Sequence, residues 1–206
     1  PITVGGGIRS INDIREILIN GADRVSINTA AISNKKFIKE SVKIFGSSTI
    51  TITIEALKIE GKYKVYTDTG RTDTNIDVFE WIKEAQDMGI GEIILTSINN
   101  EGIGKGFDLN LYEKASKLCN ISLLAHGGAR NLDDVYRLFI NSDVDGAVIA
   151  SAFHFNYYKE LLKRKEISLQ GSTNFLIDKN YKNKFFFEIQ ELKKFLKSKN
   201  INIRLR

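Results

Sequence analysis

The strongest constraint on this chain is an internal repeat of its own sequence. Gly6-Gly7-Ile8-Arg9-Ser10-Ile11-Asn12-Asp13-Ile14 returns in pattern as Gly127-Gly128-Ala129-Arg130-Asn131-Leu132-Asp133-Asp134-Val135. Each copy runs through a helix-like stretch to an Ile-Asn pair, Ile19-Asn20 and Ile140-Asn141. Each then reaches an aspartate followed by a strand-like run, Asp23-Arg24-Val25-Ser26-Ile27 and Asp145-Gly146-Ala147-Val148-Ile149. Each closes on small residues, Asn28-Thr29-Ala30 and Ala150-Ser151-Ala152. A glycine turn at a strand end brings backbone N–H groups close to an anion, and the helix that follows adds its dipole. Two matched turns with matched partner strands therefore predict two equivalent anion sites on one scaffold, and a ligand with a phosphate at each end.

Between and around the copies, β-branched runs alternate with amphipathic stretches. Strands are expected near Ile2-Val4, Arg24-Ile27, Thr49-Glu55, Glu92-Thr96, Ser122-Ala125 and Gly146-Ala150. Helical periods occupy Ile11-Ile19, Lys35-Phe45, Asp77-Gln86, Leu109-Leu118, Leu132-Asn141 and Glu188-Lys197. Ser10 or Asn12 is placed to cap the first helix and Asp77 the third, while Gly21, Gly46 and Gly89 stand where helices should stop. Such alternation with short connections implies parallel strands and right-handed crossovers. Glu60-Gly61 to Thr67 reads as a small hairpin off the Thr49-Glu55 strand, a surface decoration silent about function. Residues 156–185 lose the pattern, apart from a helical turn within Tyr158-Lys163, and are expected to be an insertion before the last helix. The whole, residues 1–206, reads as one domain.

Composition removes several classes. No apolar run approaches the roughly 18 residues of a membrane helix. A single cysteine, Cys119, cannot build an internal disulfide framework and fits a reducing, cytoplasmic setting. The opening at Pro1 reads as a fragment or processed start, not a secretory leader. Net charge is +5 from 30 basic and 25 acidic residues, and no arginine-plus-aromatic stripe suggests nucleic acid. That charge either steers an anionic ligand or reflects a Lys/Asn-rich composition such as Lys179 to Lys184.

In parallel α/β folds ligands bind beyond the carboxyl ends of the strands, where both glycine turns fall. The first candidate site therefore combines Gly6 and Gly7 with Asn28 and Thr29. The second combines Gly127 and Gly128 with Ala150 and Ser151, completed by Gly102 and by Thr96 at a neighbouring strand end.

The stretches Thr3 to Arg9, Gly21 to Ala31, Gly91 to Ser97, Ala150 to Phe155, Leu192 to Leu196 and Asn200 to Leu205 resemble the cyclase subunit of imidazole glycerol phosphate synthase. The resemblance spans nearly the whole chain except the 156–185 segment. It implies a (β/α)8 TIM barrel with a half-barrel repeat, here truncated to its third to eighth strands. It also implies a lyase of histidine biosynthesis, with no cofactor and no metal. Such an enzyme takes ammonia from a glutaminase subunit, its heterodimer partner. It adds that ammonia to a bis-phosphorylated ribulosyl aminoimidazole carboxamide nucleotide and releases imidazole glycerol phosphate and aminoimidazole carboxamide ribotide. Of the family's two general acid–base aspartates, one lies on the first strand, outside this chain. The other falls at Glu55, a longer side chain that shifts the carboxylate by about one methylene. Asn99-Asn100-Glu101-Gly102-Ile103 departs from the family's Asp-Arg-Asp-Gly-Thr, and His126 stands where serine is common. Those departures leave a second reading open, a paralogue that supplies ammonia for surface-glycan amidation; a non-catalytic scaffold is a third. At the opposite barrel end, Arg24 and Glu92 correspond to charged residues of the family's ammonia gate.

Overall fold

A computed structural model describes residues 1–164 and 186–204, with side chains undescribed from 158 to 164. Its elements run β1 (Thr3–Gly5), α1 (Ile11–Ile19), β2 (Arg24–Ile27), α2 (Thr29–Ser33), α3 (Lys35–Phe45), a 3-10 turn (Ser47–Thr49) and β3 (Ile50–Ile59). They continue with β4 (Lys62–Thr67), β5 (Thr72–Asp77), α4 (Val78–Asp87), β6 (Glu92–Ser97), α5 (Leu109–Ser116), β7 (Ser122–His126) and α6 (Leu132–Asn141). Among the described residues the order is completed by β8 (Gly146–Val148), α7 (Ser151–Arg164) and α8 (Ile189–Ser198).

Six strands pair in parallel in the order β1-β2-β3-β6-β7-β8, with helices between successive strands. This is the expected truncated (β/α)8 arrangement, with β1 and β8 as the outer strands of the described sheet. The run Thr49 to Ile54 explains how the wall is built. Ile50, Ile52, Ile54 and Ala56 are buried in the hydrophobic core, which includes Ile38 of α3 and Ile82 of α4. Thr51, Thr53 and Glu55 project to the opposite face, because strand side chains alternate. Strand β6 repeats the division, with Ile93 and Leu95 in the core and Glu92, Ile94 and Thr96 on the other side.

The sequence repeat recurs in the hydrogen bonds that secure the two helices. Asp13 accepts from the backbone N–H groups of Arg9 and Ser10, while the Ser10 hydroxyl accepts from Asp13 N–H. Asp134 accepts in the same way from Arg130 and Asn131, and Asn131 accepts from Asp134 N–H. Both are capping boxes, which satisfy donors that a helix start leaves open. The Asn20 amide donates to the Glu16 carbonyl and the Asn141 amide to the Arg137 carbonyl, each at 2.8 Å. Asp23 and Asp145 clamp the preceding strands, accepting from Ile2 N–H at 2.6 Å and Leu123 N–H at 2.8 Å. Most of the repeated polar residues thus secure a βα unit twice over.

Two expectations are refined. The hairpin gains a third strand, β5, and its tip brings Gly70 N–H to the Glu55 carboxylate, so it is not mere surface decoration. The helical turn expected within Tyr158-Lys163 is part of a longer helix, α7, that takes in residues 156–164; the rest of the expected insertion, 165–185, lies outside the described residues.

Candidate functional site

At the carboxyl ends of β3, β6, β7 and β8 the sheet interior opens into a cavity of about 290 Å³. The parallel register sets one row across it: Glu55 pairs with Thr96, Thr96 with His126 and His126 with Val148. All four line the cavity, with Thr53 and Ile94 one layer below. The loop after β6 adds Ile98 and Glu101, and the β4–β5 tip adds Thr69 and Gly70.

Glu55, expected to be the catalytic carboxylate, therefore faces this cavity. Gly70 N–H donates to its Oε2 at 2.9 Å. Burial raises the Glu55 pKa above the ordinary carboxylate range; the Gly70 bond opposes this, Glu101 adds to the rise, and the Asn28 side-chain bond opposes it. Lys58 does not neutralise it, since its ammonium lies over the Tyr63 ring. A strand-end carboxyl whose pKa is raised by burial in a cavity suits proton donation. Sequence reading missed Thr69 and Gly70 because their contribution is a backbone N–H. Asp68, Thr69 and Gly70 hold left-handed φ values of 53°, 61° and 74°, which turn the chain toward Glu55. The hairpin is anchored below by Tyr63, whose hydroxyl donates to Asp108, the residue capping α5.

Thr96, expected to touch substrate, is almost fully buried and its hydroxyl lies 3.0 Å from His126 Nδ1. The Tyr112 hydroxyl donates to the His126 carbonyl at 2.5 Å. His126 is thereby a further cavity residue; the signal was its place at the end of a strand before the glycine pair.

The twin glycine turns differ in surroundings. Gly6 and Gly7 (φ +106° and +72°) are exposed, and a Cβ on either would meet nothing within 4 Å. Beside them, Asn28 leads into α2 with its Oδ1 buried and unpartnered, and Thr29 is exposed. Gly127 and Gly128 (φ +101° and +105°) are buried beneath the loop after β6: a Cβ on Gly128 would fall 2.1 Å from the Gly106 carbonyl oxygen. Gly106 N–H donates to the Gly128 carbonyl at 2.8 Å, and the Asn100 amide donates to the Gly106 carbonyl at 2.7 Å. Gly102 sits in that loop with φ +72°, and Ala150 and Ser151 are exposed at the start of α7. The structure thus brings Glu55, Asn28 and Thr96 to the cavity region, and sets the two glycine turns after β1 and β7.

At the other end of the sheet Arg24 pairs with Glu92 at 2.5 Å, and the Thr51 hydroxyl donates to Glu92 at 3.1 Å. Glu92 is 7% exposed, so its charge needs those partners. One layer above, Ser26 and Thr53 hydroxyls bond one another. Among the described residues no cluster of three or more His, Cys, Asp or Glu side chains could hold a metal ion, and no helix is long and apolar enough to cross a membrane.

Residues 1–159 match the family described as Histidine biosynthesis protein. Imidazole glycerol phosphate synthase subunit HisF of Clostridium botulinum (strain Okra / Type B1) is 39% identical over 183 residues, 88% of this chain and 69% of the relative. The subunit HisF of Bacillus cereus (strain G9842) is 45% identical over 156 residues, 75% of this chain and 62% of the relative. The chain thus spans some six to seven tenths of the length of these relatives.

Proposed function

This chain belongs to the histidine biosynthesis protein family, and on that premise we propose that it forms the larger part of an imidazole glycerol phosphate synthase cyclase subunit. The observation that carries the reading is Glu55, a carboxyl of raised pKa in a cavity at the strand ends, with a glycine turn at either flank of the sheet. On this reading the bis-phosphorylated ribulosyl aminoimidazole carboxamide nucleotide lies across the mouth. One phosphate meets Gly6, Gly7, Asn28 and Thr29. The other meets Gly102, Gly127, Gly128, Ala150 and Ser151, where the start of α7 supplies backbone donors. Burial of Gly127 and Gly128 leaves the second anion chiefly to the loop and the start of α7. Ammonia arrives from a glutaminase subunit docked at the opposite end, past the Arg24–Glu92 pair. Glu55 transfers protons while ammonia adds and the imidazole ring closes. The subunit works in the cytoplasm without metal or cofactor.

The test uses the full-length protein with ammonium salt and the bis-phosphate substrate. Imidazole glycerol phosphate should form, and Glu55→Gln should cut kcat by roughly a hundredfold or more. Normal turnover by that variant removes Glu55 from the chemistry. The paralogue reading, ammonia supply for glycan amidation, draws on Glu55, Asn99, Glu101 and His126 in place of the family's usual residues. Growth of a histidine-requiring strain on the full-length gene would exclude it as the sole role.

A further inference from the structure

His126 shares the cavity with Glu55, yet the reaction as drawn above gives it no task. We propose that His126 is a second proton-transfer residue of this cavity, acting through Nε2 across from Glu55; the proposal rests on the cyclase reading. The register carries it. Glu55, Thr96 and His126 occupy one row on adjacent strands β3, β6 and β7. At about 4.8 Å per strand, the Glu55 and His126 backbones stand roughly 10 Å apart. Both side chains line the same cavity, with Thr96 on the strand between them.

The ring is also held for the task. Nδ1 lies 3.0 Å from the Thr96 hydroxyl, which is able to donate or accept, so either neutral tautomer is satisfied. Tyr112 fixes the backbone beneath it. Among the described residues Nε2 has no protein hydrogen-bond partner, so it is left to the cavity. The titratable groups nearest this arrangement are Glu55 on β3, Glu101 after β6 and Tyr112 on α5.

The step balances. As ammonia adds to the substrate carbonyl, its lone pair forms the C–N bond and the carbonyl π pair moves to oxygen. Nitrogen must then lose one proton and oxygen gain one. His126 Nε2 takes the first and the Glu55 carboxyl gives the second; exchange with water resets both. Thr96 is the positioning residue for His126.

The experiment is the pH profile of kcat and KM for the full-length subunit at constant free ammonia. His126→Gln should lower kcat about a hundredfold with KM within about threefold. It should also change the shape of the pH profile of kcat, which a merely structural role would leave unmoved. Thr96→Val should lower kcat less, and Thr96→Ser should restore it. His126→Gln turning over within threefold of wild type with an unchanged pH profile overturns the proposal, as does a change in KM alone. Should His126→Gln not fold, His126→Asn and the Thr96→Val and Thr96→Ser pair give the same readout. A wild-type protein that never cyclises the substrate overturns the cyclase reading and this inference with it; an active wild type with an indifferent His126 overturns this inference alone.

Discussion

Alanine at Gly7 and alanine at Gly128 are one chemical change at twin positions, and the structure predicts unequal costs. Both glycines have positive φ, +72° and +105°, so a Cβ brings backbone strain of about 1–3 kcal/mol at either place. At Gly7 that is the whole cost, because the new methyl meets nothing within 4 Å. At Gly128 the methyl would stand 2.1 Å from the Gly106 oxygen and 3.0 Å from Asn100 Cβ. Relief requires the loop after β6 to lift. That breaks the Gly106 N–H bond to Gly128 and strains the Asn100 bond to Gly106. Two hydrogen bonds at about 1 kcal/mol each, added to the strain, bring Gly128→Ala to roughly 3–5 kcal/mol. Urea unfolding of the full-length protein, read by fluorescence at matched m-values, measures both. The expected gap is about 2 kcal/mol, or some 4–8 °C in Tm for a domain of this size. Equal losses would refute the steric argument. The functional cost should run the other way per unit of stability: Gly7→Ala should weaken bis-phosphate binding while leaving the protein well folded.

Other expectations follow from the polar interior. Glu55 has a raised folded-state pKa, so its ionised form is disfavoured in the fold; this penalty is absent below the ordinary carboxylate range and grows as pH rises through the raised value. Glu55→Gln, which keeps an acceptor for Gly70 N–H, should therefore stabilise the protein at pH 7 by under about 1 kcal/mol and not at pH 4. A loss of stability at pH 7 would contradict this. Arg24→Met strands Glu92 with only the Thr51 hydroxyl and should cost about 2–3 kcal/mol. Glu92→Gln should cost less, since Arg24 is 39% exposed and reaches water; thermal unfolding of the pair checks the order. Tyr63→Phe removes the hydroxyl that ties β4 to Asp108 and should cost about 1 kcal/mol. Hydrogen exchange should then quicken at the β4–β5 tip.

Much of the fold was legible because its periods are strong. Ile11–Ile19, Lys35–Phe45 and Leu132–Asn141 fall where hydrophobic spacing put them, and Ser10 and Asp77 cap as their side chains allow. Helix α2 was missed: five residues are too few to display a helical period. Strand β5, Thr-Asp-Thr-Asn-Ile-Asp, is mostly polar and packs little, so no alternation announces it. Helix α7 mixes Tyr, Asn and Lys through what would be its apolar stripe. At the site, the glycine turns were visible as residue types at strand ends, and Glu55 through the family resemblance. The Gly70 contact was not, because it uses a backbone N–H fixed only by hairpin geometry. The Thr96–His126 bond likewise depends on inter-strand register, which one sequence does not state.

Strand β3 gives the barrel two separately editable surfaces. Its isoleucines serve the helix-covered core, while Thr51, Thr53 and Glu55 serve only the interior. Exchanging an interior residue changes what the cavity can hold or protonate without reopening the packing behind it. At the cavity-facing Glu55, new chemistry therefore comes at small cost in foldedness. Glu55 and His126 at their strand ends, and Glu101 in the loop after β6, all line that cavity.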